Sequence, residues 1–147
     1  QFADLAVCFE VLEHVFDPVS FISSIKRLVR PGGLVFISTL SIDGFDLQVL
    51  WDKSSQIFPP HHINFLSVEG FKRLFEQSGL VDVAVTTPGK LDVDIIRNAS
   101  QKSPELLIGQ RFLDNLTKDD ELGASFQEFL VNNALSSHAW VVGKVPS

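Results

Sequence analysis

A chain of 147 residues, 45% apolar and 20% charged, has the makeup of one ordinary soluble globular domain, large enough to bury roughly 70% of the surface its unfolded form exposes. The net charge of −6, with basic residues scattered except for Lys26, Arg27 and Arg30, disfavours a nucleic-acid partner. The longest apolar runs, such as Leu34 to Ile37, are too short to cross a bilayer, no secretory signal is legible, and the lone Cys8 suits a reducing cytoplasm.

Phe2 to Phe9 is a short apolar run and predicts a strand buried on both faces. Asp17-Pro18 reads as a helix start, and Phe21, Ile22, Ile25, Leu28 and Val29 follow as one helical stripe. Pro31-Gly32-Gly33 predicts the end of that helix and a tight turn, and Leu34 to Thr39 a second buried strand. Strand, helix, strand at this spacing is a βαβ unit with parallel strands.

Leu40 to Leu66 is irregular, with one short helix expected around Phe45 to Trp51; a loop of that length is more often functional than idle. Ser67 caps a helix with Val68, Phe71, Leu74 and Phe75 on its apolar face, ended by Gly79. Val81 to Thr87 predicts a strand. Ser103-Pro104-Glu105 and Thr117-Lys118-Asp119-Asp120 predict starts of helices running to about Leu116 and Leu135, and His138 to Val145 a last strand. The result is an open α/β sheet with helices on its faces and a helical insertion at about 91–136. Within that insertion Leu122, Phe126, Phe129 and Leu130 read as core. Such sheets bind ligands beyond the carboxyl ends of parallel strands, here just after Phe9 and just after Thr39.

The run Ala3-Asp4-Leu5-Ala6-Val7-Cys8-Phe9-Glu10-Val11-Leu12-Glu13-His14-Val15 resembles the fourth strand and following loop of Rossmann-like S-adenosylmethionine-dependent methyltransferases. Leu28 to Thr39, with Pro31-Gly32-Gly33, is similar to their fifth strand and its approach, and His61-His62-Ile63-Asn64-Phe65-Leu66-Ser67 and Ser78-Gly79-Leu80 are similar to later segments. The resemblance implies a sheet of strands corresponding to the fourth to seventh. The last two would form an antiparallel hairpin, with the final strand lying between the fifth and sixth. It implies S-adenosylmethionine as methyl donor, with the backbone at Phe9 and Glu10 meeting its methionine end. The family's glycine-rich turn is absent from residues 1–147. Together with the Gln1 start and the lack of methionine, this makes the chain read as the C-terminal part of a longer domain, whose first strand would be an exposed edge.

On one helical turn Glu10, Glu13 and His14 would share a face. Glu-x-x-Glu-His is similar to metal-binding motifs of ubiquinone-pathway O-methyltransferases and of small-RNA 2′-O-methyltransferases. The resemblance implies a divalent cation such as Mg²⁺ held by Glu10, Glu13 and His14, with His62 as a further ligand; a metal-free pocket role is the alternative. His61 and His62 are candidate general bases, and Trp51 and Phe58 candidate pocket walls. His138 is expected at a strand start with no chemical role. The function implied is methyl transfer to a small-molecule acceptor, at a hydroxyl oxygen. The alternatives are N- or C-methylation on the same fold, or a non-catalytic domain that pairs with another chain.

Overall fold

The structure is a computed structural model that describes residues 2–147. Four strands form one mixed sheet in the order β1-β2-β4-β3, where β1 is Ala3–Phe9, β2 Val29–Leu40, β3 Val81–Thr86 and β4 His138–Lys144. β1 and β2 are parallel; β4 is antiparallel to both β2 and β3, so the last strand lies between the second and the third. This is the implied strand order, with the final pair as an antiparallel hairpin.

Helix α1, Pro18–Lys26, starts where the sequence predicts: Pro18 opens it and Asp17 accepts from the Ser20 amide at 3.0 Å. Its end differs. The helix stops at Lys26, Leu28 is exposed, and Val29 already belongs to β2. Pro31-Gly32-Gly33 lies inside that longer strand as an irregularity, with Ala3 opposite Val29 but Leu5 opposite Leu34. Gly32 has φ 76°, and a Cβ on Gly33 would stand 2.7 Å from the Asp4 carbonyl oxygen, so the bulge needs both glycines.

Helix α2, Phe45–Leu50, is the short expected one, and α3, Val68–Gln77, is capped by Ser67, which accepts from Gly70 N at 3.0 Å. Phe71, Leu74 and Phe75 of α3 join Leu12, Ile22, Val35, Ile37 and Val141 in the main core. The segment between β3 and β4, expected as a helical insertion, holds three helices rather than two. These are α4, Asp92–Lys102; α5, Arg111–Lys118; and α6, Asp120–Asn132. Ser103-Pro104-Glu105 opens only a single turn, Pro104–Leu107. Thr117 falls in α5, and Asp119 is the cap of α6, accepting from Leu122 N. Leu130 is buried as expected and Phe126 packs beside the insertion's core, but Leu122 and Phe129 are exposed.

One expectation for β1 fails and the other holds. Ala6 and Cys8 face the core, while Leu5, Val7 and Phe9 are 51%, 53% and 61% exposed, so only one face is covered. The bare face continues through Leu34 and Phe36 to Trp140, with Phe9, Phe36 and Trp140 in a row of ring contacts at 5.9 and 5.6 Å. No helix among the described residues is long and apolar enough to cross a membrane.

Candidate functional site

The site begins where β1 ends. The Glu10 amide still bonds the Ser38 carbonyl at 3.0 Å, but Glu10 then takes φ 51°, a left-handed turn that swings the chain off the sheet. The next residues form one 3₁₀ turn, Leu12–His14. Leu12 plugs into the core and carries Glu13 inward with it, so that the Glu13 carboxylate is only 2% exposed. Thr39, near the tip of β2, donates its hydroxyl to Glu13 Oε2 at 2.9 Å.

The long loop comes back to this turn. The amides of Ile63 and Asn64 donate to the Glu13 carbonyl at 2.8 and 3.1 Å. Asn64 also extends its side-chain amide to the carbonyls of Leu12 and Val15. The loop is thereby strapped over the turn, and His62 meets His14 with ring centroids 4.7 Å apart.

Both rings have a fixed tautomer. His14 Nδ1 lies 2.7 Å from the His61 carbonyl oxygen and His62 Nδ1 lies 2.6 Å from that of Gln56. A carbonyl can only accept, so each Nδ1 carries a proton, and Nε2 is the nitrogen left to face a ligand. Glu13, His14 and His62 each present a potential ligand atom, all within 4.8 Å of one another. A backbone carbonyl behind each imidazole is the outer support that metal-ligating histidines usually have.

The other predicted site residues are placed differently. Glu10 is not in this group: its turned backbone sends the carboxylate to Ser38, whose hydroxyl donates to Oε1 at 2.6 Å. The His61 ring stacks on Phe58 at 5.2 Å, and it is the His61 carbonyl that serves the cluster. Trp51 and Phe58 are each 58% exposed. Cys8 is half-buried, and burial, followed by the nearby Glu13 charge, pushes its thiol pKa up, so it stays a protonated packing residue.

Beside Glu10 opens a cavity of about 520 Å³ between the sheet tips and the insertion, lined among others by Gln56, Lys90, Asp92, Ile95 and His138. Gln56 links the two features, since its carbonyl also holds His62. His138, expected to be inert, lies with Nδ1 3.7 Å from Glu10 Oε1 and accepts from the Trp140 indole at 3.1 Å. The signal for it was the antiparallel return of the last strand, which sets His138 opposite Leu40.

Residues 1–85 match a family model described as a methyltransferase domain. A ubiquinone biosynthesis O-methyltransferase of Vibrio parahaemolyticus is 35% identical over 89 residues, 56% of this chain and 38% of that protein. Its counterpart in Colwellia psychrerythraea is 51% identical over 49 residues, 32% of this chain and 20% of that protein. The chain thus spans well under half the length of these relatives. Among solved structures, a SAM-dependent methyltransferase of Thermotoga maritima superposes with a TM-score of 0.55 at 13% identity, covering 96% of this chain and 55% of that one. The phosphoethanolamine N-methyltransferase 2 of Haemonchus contortus, in complex with S-adenosyl-L-methionine, gives 0.53 at 16% identity, covering 100% and 35%. These structural likenesses speak for the fold. With more than half of its residues matched by the family model, the chain belongs to the methyltransferase domain family.

Proposed function

We propose that the chain forms part of an enzyme that transfers a methyl group from S-adenosylmethionine to a hydroxyl oxygen of a small-molecule acceptor. Glu13, His14 and His62 would hold a divalent cation at that site. The observation that carries this reading is the pair of imidazoles, each with its Nδ1 proton tied to a backbone carbonyl, gathered with a buried carboxylate at the tip of β1. The match to ubiquinone biosynthesis O-methyltransferases supports oxygen as the acceptor atom.

Two nitrogens and one carboxylate suit Mn²⁺ or Zn²⁺ ahead of Mg²⁺. Glu10, the fourth ligand implied by the motif, would have to release Ser38 to join them, and the added oxygen would then favour Mg²⁺. When bound, such an ion supplies Lewis-acid charge that lowers the pKa of a hydroxyl. The chain's own residues do the rest. The backbone at Phe9 and Glu10 faces the methyl donor, and the cavity beside Glu10 receives the acceptor. Gln56 and His61 orient the two imidazoles through their carbonyls. The half-buried Cys8 thiol fits a reducing, cytoplasmic setting.

A second reading, methyl transfer to an amine, draws on the Glu10 carboxylate, which lines the same cavity, with His14 as a further acceptor contact. One experiment separates them. The complete natural polypeptide is given methyl-labelled S-adenosylmethionine with a catechol and, separately, a primary amine, with Mn²⁺ or with EDTA. Label on the catechol oxygen, lost in EDTA, is the expected result. Label on the amine alone, insensitive to EDTA, would replace the first reading with the second.

A further inference from the structure

A second acidic feature lies between the sheet and the insertion. Asp46, in the first turn of α2, is wholly buried, and no donor bonds either oxygen of its carboxyl group. It faces the carboxyl of Asp92, the first residue of α4, which is 1% exposed. Asp92 is the opposite case. Its Oδ2 accepts from Gln127 Nε2 at 2.7 Å and from Ser136 Oγ at 2.6 Å, and its Oδ1 from the Ser137 amide at 2.7 Å. Those partners come from α6 and from the lead into β4, so Asp92 is where the insertion is fastened to the sheet.

An ionised Asp46 has acceptors only, with an acceptor in front of it and no cation in contact among the described residues. That combination is strongly disfavoured in a buried place. A protonated Asp46 has an O–H to offer, and the Asp92 carboxylate, with one donor on Oδ1 against two on Oδ2, keeps a lone pair to receive it. We propose that Asp46 and Asp92 hold one proton between them, carried by Asp46, and that this proton latches α4, and with it one wall of the cavity beside Glu10, onto the sheet.

Burial is the main force on Asp46. Ser137 and the Leu47 amide lie close enough to offset it in part, though neither reaches hydrogen-bonding geometry; the Asp92 carboxyl adds to it, and the Asp46 carboxyl is pushed up to about 6 from an ordinary 3.8. A folded-state pKa above the unfolded one means that the folded chain keeps a proton the unfolded chain releases. The latch is therefore at full strength below about pH 4, weakens as pH rises through about 6, and is constant above that. Glu10, Lys90 and His138 line the cavity next to Asp92 and titrate or carry charge near it, without forming an ion pair with either aspartate.

The test is hydrogen exchange of the α4 amides, corrected for intrinsic rate, from pH 5 to 8, alongside ¹³C titration of the aspartate carboxyls. In the wild-type chain the α4 opening constant should rise with pH, by about tenfold between pH 5 and 8. In Asp46→Asn the amide donates permanently to Asp92, so the rise should vanish and protection at pH 8 should be at least that of wild type at pH 5. In Asp92→Asn an amide N–H must face donors on both sides, so protection should drop about tenfold or more at every pH. A full wild-type pH response surviving in Asp46→Asn would assign it to Glu10 or His138 and overturn the latch. Were Asp46→Asn unable to fold, the wild-type titration would decide: an Asp46 midpoint near 6 upholds the latch, and one near 4 overturns it.

Discussion

Asn64 is the residue whose loss should most clearly connect the loop to the site. Its single side-chain amide reaches two carbonyls, those of Leu12 and Val15, at the two ends of the 3₁₀ turn that carries Glu13 and His14. Asn64→Ala removes both bonds and leaves two part-buried carbonyls to find water. At about 0.5–1.5 kcal/mol for each bond, the loss is about 1–3 kcal/mol. The strap also holds His62 against His14, so a cation would have to order the loop itself on binding. Every 1.4 kcal/mol is about tenfold in affinity, which makes Mn²⁺ binding roughly 5- to 150-fold weaker. Asn64→Asp should be worse than Ala, because it sets a carboxylate against two carbonyls. Urea unfolding gives the first quantity and a Mn²⁺ titration followed by electron paramagnetic resonance the second. If Asn64→Ala unfolds within about 0.5 kcal/mol of wild type and binds Mn²⁺ equally well, the strap has no role and the reasoning fails.

Further outcomes follow from the same structure. Thr39→Val deletes the hydroxyl that orients Glu13 Oε2, and should weaken Mn²⁺ binding about tenfold or more while leaving the core volume nearly unchanged. Phe71→Ala, in the centre of the main core, should cost about 3–5 kcal/mol in urea unfolding; a loss below about 1 kcal/mol would mean that α3 does not pack as described. The bare face carrying Leu5, Val7 and Phe9 should bind the dye ANS or drive self-association of residues 1–147, and Val7→Lys should reduce both signals. Sedimentation and fluorescence together check this, and a monomeric, dye-silent wild type would contradict it.

How much of this was legible beforehand varied with the source of each element's stability. The parallel pair, α1 and α3 carry their own signals: continuous apolar runs, Asp17-Pro18, the Ser67 cap and Gly79 with φ 78°. Helix α4 carries almost none. Leu91 gives it no side-chain cap, and its first residue, Asp92, is held by Gln127, Ser136 and Ser137, more than thirty positions away. Residue types alone make the glycine pair at 32 and 33 look like a turn, because a bulge forced by close approach to Asp4 depends on a neighbouring strand.

The candidate site shows the same division. Glu13, His14 and His62 were marked by residue type and spacing, and the loop brings them together. Glu10 joins them only on a helical turn straight after Phe9. Its positive φ breaks that regularity and gives the side chain to Ser38 and His138 instead. Nor does sequence spacing expose the Asp46–Asp92 pair, which exists only because α2 and α4 meet over the start of β4.

A Co²⁺ titration, read by visible absorption, of the complete natural polypeptide and of Glu13→Gln, His14→Ala and His62→Ala would show whether these side chains form a metal centre. The arrangement at the tip of β1 predicts one equivalent bound by the wild type, with each substitution weakening it at least about tenfold. Equal binding by all four proteins, or none by the wild type, would contradict a metal centre built from these three side chains.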